Sequence, residues 1–176
     1  MPPLSGPAKN LVGGLNNGWK VITDALASER VMIGGTRVAT IERAFDRFTE
    51  HVKAAVVGGK ALKSDPLIRD RIGALAADLE VARQLQLQSL RAVEQGRAPI
   101  HEAAMAKVFA SELQERLGQA ALDILGTGGL LSEEADTAPL GEMEQFLRHS
   151  LMGIIAGGSN EIQRNIIAQR GLDLPR

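Results

Sequence analysis

The chain carries long stretches in which apolar residues recur every three or four positions, the period of one face of an α-helix. The first stretch follows an irregular lead-in rich in Pro, Gly and Asn, begins near Gly18 and should end at Gly58-Gly59. Its apolar face is formed by Val38, Ile41, Phe45, Phe48 and Val52, and is extended upstream by Trp19, Ile22, Leu26 and Ile33. The pattern predicts one long amphipathic helix.

Two further long helices are predicted in the middle of the chain. Asp65 can cap the second helix, and Pro66 occupies its first position, where the missing N–H is not needed. Gly96 should end it, and the third helix should run from Pro99 to Gly126. The apolar faces are Ile68, Ile72, Leu75, Leu79 and Ala82 in the second helix, and Met105, Phe109, Leu113, Leu117, Ala120 and Ile124 in the third.

Two shorter helices are predicted over 142–154 and 159–170, separated by Gly157-Gly158. No segment alternates apolar and polar residues with a period of two, so no sheet is expected. Helices with apolar stripes bury them against one another, which predicts an all-α, up-down helical bundle over 18–176 after an irregular lead-in over 1–17. Some stripes could instead face a second chain, and periodicity does not separate these cases.

The composition supports helices and narrows the classes of function. Only 3% of the 176 residues are aromatic, so aliphatic side chains must fill the core, which suits helices better than a sheet. A net charge of -1 gives no field that attracts nucleic acid. The chain has no Cys, which fits a cytoplasmic location, and its start shows no signal peptide. The longest apolar run, over 151–158, is too short for insertion into a membrane.

Common motifs for metals and phosphates are absent from the sequence. The histidines are far apart and have no Cys to assist them, so no metal site is expected; they are His51, His101 and His149. Gly58-Gly59-Lys60 is not a phosphate-binding loop, because Ala61 stands where that motif needs Ser or Thr.

The segment over 157–168, GGSNEIQRNIIA, resembles the closing motif of the C-terminal domain of acyl-CoA dehydrogenases. The segments LASER at 26–30, DPLIR at 65–69 and KVFASE at 107–112 are similar to the three long helices of that domain. The resemblance covers nearly the whole chain and is strongest for a bacterial, FadE-like branch. It implies that the lead-in over 1–17 is the end of a middle β-domain that this sequence lacks.

The resemblance also implies a reaction and a cofactor. Members of the family oxidise an acyl-CoA thioester to the 2,3-enoyl-CoA, and their FAD accepts hydride from the β-carbon. A carboxylate removes the α-proton, which requires an apolar, water-poor pocket around a basic Glu. The FAD site is completed by other domains and by a neighbouring subunit, so a homo- or hetero-oligomer, a dimer or tetramer, is expected.

The resemblance assigns the base to Glu29 on the first helix. Many members carry it just before the closing glycines, where this chain has Ala156 and Gly157, whereas a minority carry it at the position matching Glu29. Arg30 matches an Arg beside the acyl-CoA substrate. The alternatives are that Glu29 is a solvated helix residue and that Arg30 is a structural Arg at a subunit contact.

Two residues of the closing motif match cofactor contacts of the family, and two other positions depart from it. Ser159 and Glu161 stand where members touch FAD; the alternative is that both residues serve to cap the last helix. The segment over 53–58 lacks the Arg and the aromatic residue that members offer to a neighbour's flavin, and Asp123 replaces a Gln that meets the adenine half.

Three functions remain open from the sequence. The chain could be the C-terminal domain of a FAD-dependent acyl-CoA dehydrogenase that is inactive on its own. It could instead be a non-catalytic partner subunit that serves assembly alone. A helical interaction module unrelated to acyl-CoA is the third alternative, and the closing motif argues against it.

Overall fold

The computed structural model describes residues 6–132 and 140–175, and within them the predicted all-α bundle is confirmed. Its helices are α1 (Gly18–Ala54), α2 (Pro66–Glu94), α3 (Ile100–Leu125), α4 (Glu142–Ile155) and α5 (Asn160–Ile166). The last helix is shorter than predicted, because a π-helical turn, Ile167–Gly171, replaces its C-terminal part. In the described part of the chain, no helix is both long and apolar enough to cross a membrane.

A small β-hairpin joins α1 to α2, so the prediction that the chain contains no sheet was wrong for this segment. Its strands are β1 (Val56–Val57) and β2 (Lys60–Ala61), paired antiparallel. Gly58 and Gly59 form the turn with φ angles of 56° and 78°, the left-handed conformation that two-residue hairpin turns require. Strands of two residues are too short to show a period, which is why the sequence pattern missed them.

The second helix begins as predicted, at a cap formed by Asp65. One oxygen of its carboxylate, Oδ1, accepts hydrogen bonds from the backbone N–H groups of Leu67 at 2.8 Å and Ile68 at 3.3 Å. Pro66 follows in the first helical position. The cap satisfies two backbone donors that the first turn would otherwise leave without a partner.

Helix α3 is the centre of the bundle and contacts each of the other four helices. The apolar faces predicted from the sequence meet around it and form the core, which includes Ile41, Phe48, Val52, Leu75, Leu79, Leu113, Leu117, Met143 and Phe146. Phe48 is fully buried and Ile41 is 1% exposed. The aliphatic composition of the chain therefore serves the packing of helices, as expected.

Helices α3 and α4 approach each other closely at Gly118. A Cβ atom at this position would lie 2.8 Å from the Cβ and 3.0 Å from the Cα of Leu147. Because a Cα atom moves only with its backbone, α4 as a whole would have to shift to make room. Gly118 therefore sets the distance between the two helices.

Gly118→Ala is expected to lower the free energy of unfolding by about 1–3 kcal/mol, because the added methyl group overpacks this crossing. Gly73→Ala is the matched control, since a Cβ there meets no atom within 4 Å on α2. The control should raise the stability by about 0.5–1 kcal/mol, the gain of Ala over Gly in a helix. Urea denaturation measures both variants, and equal stability gains in the two would contradict the close approach.

Candidate functional site

A small cleft lies where the turn between α4 and α5 meets α1 and α3. Its volume is about 50 Å³. The lining residues are Arg30, Ile33, Gly34 and Arg37 of α1, Lys107 of α3, and Ala156 and Gly157 of the turn. We name it the cationic cleft, because three of these residues carry a positively charged group.

Lys107 is buried at the inner side of the cationic cleft, with 6% of its surface exposed. Its ammonium group donates hydrogen bonds to the carbonyl of Ile154 at 2.9 Å and to Oδ1 of Asn160 at 2.6 Å. Burial, and after it the positive charge of Arg37, lowers the pKa of Lys107 to about 8. The two hydrogen bonds of Lys107 therefore link the end of α4 to the start of α5. Burial of the ammonium group costs part of its solvation free energy.

Arg30 and Arg37 place further positive charge in the cleft. Nε of Arg30 and Nη1 of Arg37 are buried and have no hydrogen-bond partner among the described residues. The guanidinium of Arg37 occupies the space where a side chain at Gly153 would lie, so this glycine makes room for it. Burial lowers the pKa of Arg37 from its usual value. Both arginines thus have unused hydrogen-bond donors.

Asn160, the first residue of α5, anchors the closing motif to α3. It is 1% exposed, and its amide Nδ2 donates to Oγ of Ser111 and to Oε1 of Glu112, each at 3.1 Å. Its Oδ1 accepts the hydrogen bond from Lys107 described above. The Asn of the motif is therefore a buried structural group that uses both its donor and its acceptor capacity.

Gln163 holds the glycine turn from the other side. Its side chain is fully buried, and Nε2 donates to the carbonyl of Gly157 at 3.1 Å. Gly157 and Gly158 have φ angles of 70° and 90°, which residues with a Cβ rarely adopt. The geometry of this turn thus depends on its two glycines and on the amide of Gln163 that fixes the Gly157 carbonyl.

The upstream part of α1 carries an apolar stripe that the bundle leaves exposed. The stripe consists of Trp19, Ile22, Leu26 and Ile33, and their exposed fractions are 81%, 48%, 37% and 40%. The end of the stripe at Trp19, which is the most exposed of the four residues, is therefore not part of the core. We name these four residues the exposed stripe.

Glu29 lies within the exposed stripe. It follows Leu26 by three positions and precedes Ile33 by four, so the three residues share one helical face. Its side chain is exposed in the isolated chain. A protein surface that covered the stripe would exclude water from the carboxylate, and Ile33 connects this face to the cationic cleft.

The structure brings Arg30 to Gly157 across the cleft, and places Ser159 and Glu161 just beyond that turn. Oγ of Ser159 accepts a hydrogen bond from the N–H of Ile162 at 3.5 Å and so caps α5. The pKa of Glu161 is lowered, first by its own backbone N–H and then by the Ser159 hydroxyl. These contacts are those of an N-terminal cap, and contact of Ser159 and Glu161 with FAD stays a prediction.

The residues present fit one wall of a flavin site rather than a complete one. The exposed carboxylate of Glu161 accepts hydrogen bonds from hydroxyl or N–H groups, but it repels a phosphate. The segment over 53–58 offers Lys53, at the end of α1, as its cation and no guanidinium fork for a diphosphate. Asp123, for which the resemblance implied a Gln, accepts a hydrogen bond from Arg71 at 2.7 Å. The fit is therefore to the uncharged part of the cofactor.

Three residues of this region were not predicted as site residues from the sequence: Arg37, Lys107 and Gln163. The sequence held a signal for one of them, because Lys107 begins a polar series with Ser111 and Gln114 at helical spacing, between the apolar positions of α3. Polar residues in such a series are buried against partners in another element. Arg37 gave no comparable signal, since its place in the cleft depends on how α4 crosses α1.

A family profile described as "Acyl-CoA dehydrogenase, C-terminal domain" matches residues 16–172 of the chain. Among curated proteins, acyl-CoA dehydrogenase FadE29 of Mycobacterium tuberculosis is 34% identical over 175 residues. The match covers 97% of this chain and 43% of the relative, so the chain spans less than half of that protein's length.

Solved structures show the same fold. A steroid acyl-CoA dehydrogenase variant named Tcur3481-Tcur3483 matches with a TM-score of 0.81 and 30% identity, over 97% of this chain and 44% of that one. The ChsE4-ChsE5 complex of Mycobacterium tuberculosis matches with a TM-score of 0.71 and 30% identity, over 79% of this chain and 36% of that one. The names of both structures refer to two proteins.

Proposed function

The chain belongs to the acyl-CoA dehydrogenase family as its C-terminal domain, and on this premise we propose that it forms one wall of a shared FAD and acyl-CoA site. The reaction at that site is α,β-dehydrogenation of an acyl-CoA thioester. Glu29 removes the α-proton, and Arg30 binds the substrate beside it. The position of Glu29 within the exposed stripe carries this proposal, because covering the stripe would place the carboxylate in apolar surroundings.

The FAD of this proposal accepts the hydride that leaves the β-carbon. Ser159 and Glu161 contact its uncharged part, for which a carboxylate acceptor is suited. The remaining domains, or a partner subunit, supply the groups that bind the diphosphate. This division of the site agrees with a chain that spans less than half the length of its relative.

A non-catalytic partner subunit is the second candidate. It is favoured by Ala156 and Gly157, which occupy the position where many members carry the base, and by the missing Arg in the segment over 53–58. In this case the chain would associate with a catalytic subunit through the same exposed stripe. Loss of Glu29 would then leave the rate of oxidation unchanged, which separates the two candidates.

Association through the exposed stripe is the first test. The purified 176-residue chain should elute as a dimer or tetramer in size-exclusion chromatography with light scattering, and Leu26→Lys should shift it toward the monomer. Leu67→Lys is the control, since Leu67 is 79% exposed at the start of α2, outside the stripe. A wild-type chain that stays monomeric at all concentrations would contradict the role in assembly.

The flavin absorbance of the purified chain is the second test. The isolated chain should be colourless after purification with excess FAD, because most of the surface that encloses the cofactor is elsewhere. Addition of the protein that supplies the remaining domains should give a yellow complex that retains FAD through the column. Tight binding of FAD by the chain alone would contradict the shared site.

A further inference from the structure

We propose that the cationic cleft is a binding site for the carboxylate group of a small aliphatic acid, with Arg30 and Arg37 as its hydrogen-bond donors. The inference rests on the geometry of this chain and holds whether or not Glu29 acts as a base. It adds a ligand class to the site, because neither the flavin nor the thioester presents a carboxylate.

Arg30 and Arg37 differ from several arginines at the surface, which pair with carboxylates. Arg71 pairs with Asp123 at 2.7 Å, and Arg116 pairs with Asp78 at 2.9 Å. Nε of Arg30 and Nη1 of Arg37 are more deeply placed and have none among the described residues. A buried N–H donor without a partner is unfavourable, so a cleft that keeps one on each of two arginines is suited to an external anion.

The acidic groups near the cleft are already engaged. Glu112 accepts hydrogen bonds from Arg164 and from Asn160. The carboxylate of Glu161 interacts electrostatically with the positive charge of Lys107. It also forms hydrogen bonds with its own backbone N–H and with the Ser159 hydroxyl. Lys107 itself gives two of its three protons to Ile154 and Asn160, and its positive charge adds to the field in the cleft. The net charge that an entering ligand meets is therefore positive.

The size and lining of the cleft suit a carboxylate. A volume of about 50 Å³ admits a small planar group. Such a group matches the fork of an arginine through two parallel hydrogen bonds. Ile33, Gly34 and Ala156 supply apolar lining that suits an aliphatic chain attached to the carboxylate.

The test follows the Nε–H resonance of Arg30 by NMR in the ¹⁵N-arginine-labelled chain. Titration with sodium glutarate should move this resonance to saturation, whereas sodium chloride at equal ionic strength should not. Glutaramide, the neutral diamide of similar shape, should have no effect, which makes the comparison independent of any variant. An equal response to chloride or to glutaramide would overturn the proposal.

Arg37→Gln should weaken glutarate binding by about tenfold or more, since one of the two charged donors is lost. Arg43→Gln is the matched control, because Arg43 is exposed on the same helix and outside the cleft. Equal weakening by both variants would assign the effect to overall charge and overturn the proposal. A resonance that moves only on oligomerisation, and not with glutarate, would assign the cleft to an acidic side chain of a partner and would also overturn it.

Discussion

Glu29→Gln in the FAD-loaded assembly is expected to lower the rate of acyl-CoA oxidation by about 10²–10⁴-fold, the usual contribution of a general base. The amide keeps the size of the side chain but does not accept the α-proton. Glu29 lies between Leu26 and Ile33 on a face that the described part of the chain leaves exposed. Because the loss concerns proton removal, exchange of the substrate α-proton with deuterated water should stop as well.

The control for this experiment is Glu50→Gln, an exposed Glu near the other end of the same helix. It should leave both the oxidation rate and the exchange rate unchanged. FAD absorbance and the elution volume of the assembly show whether each variant is intact. Retained α-proton exchange in an intact Glu29→Gln assembly would exclude Glu29 as the base and favour the non-catalytic partner subunit.

Asn160→Ala is expected to lower the free energy of unfolding by about 3 kcal/mol, because it removes several buried hydrogen bonds, one of them to a charged group. The variant leaves the ammonium of Lys107 with the carbonyl of Ile154 as its described partner. It also removes the amide that donates to Ser111 and Glu112. Both losses act at the contact between α3 and α5.

Asn165→Ala provides the comparison, since Asn165 is exposed on the same short helix. Its effect should stay within about 0.5 kcal/mol, the range of ordinary surface substitutions. Guanidinium denaturation followed by circular dichroism measures both variants. Equal effects of the two substitutions would contradict the anchoring role of Asn160.

The sequence predicted the parts of the fold that local chemistry determines. The cap at Asp65 and the stripe from Val38 to Val52 were correct because capping geometry and helical period are properties of neighbouring residues. The hairpin at Gly58-Gly59 was missed because its strands are shorter than any detectable period. The exposure of Trp19 could not be predicted from the sequence either. The spacing of apolar residues along a helix is the same whether the helix faces the core or a partner.

The candidate site was predictable only as far as the resemblance reached. It pointed to Arg30, which the structure places at the cleft, and it also pointed to Glu29, whose role stays a prediction. Arg37 was missed because its burial depends on Gly153 of α4, more than one hundred residues away in the chain. Lys107 was missed because the resemblance carried no role for it, although its polar neighbours on α3 gave a signal.

The exposed stripe has a consequence for the cell that makes this protein. A chain produced in excess of its partners would present a sticky apolar surface, to which chaperones bind and through which unassembled copies aggregate. If a separate partner covers the stripe, as proposed, then balanced synthesis of the two proteins would keep the chain soluble. An excess of the unassembled chain would be the form that a cell tolerates least.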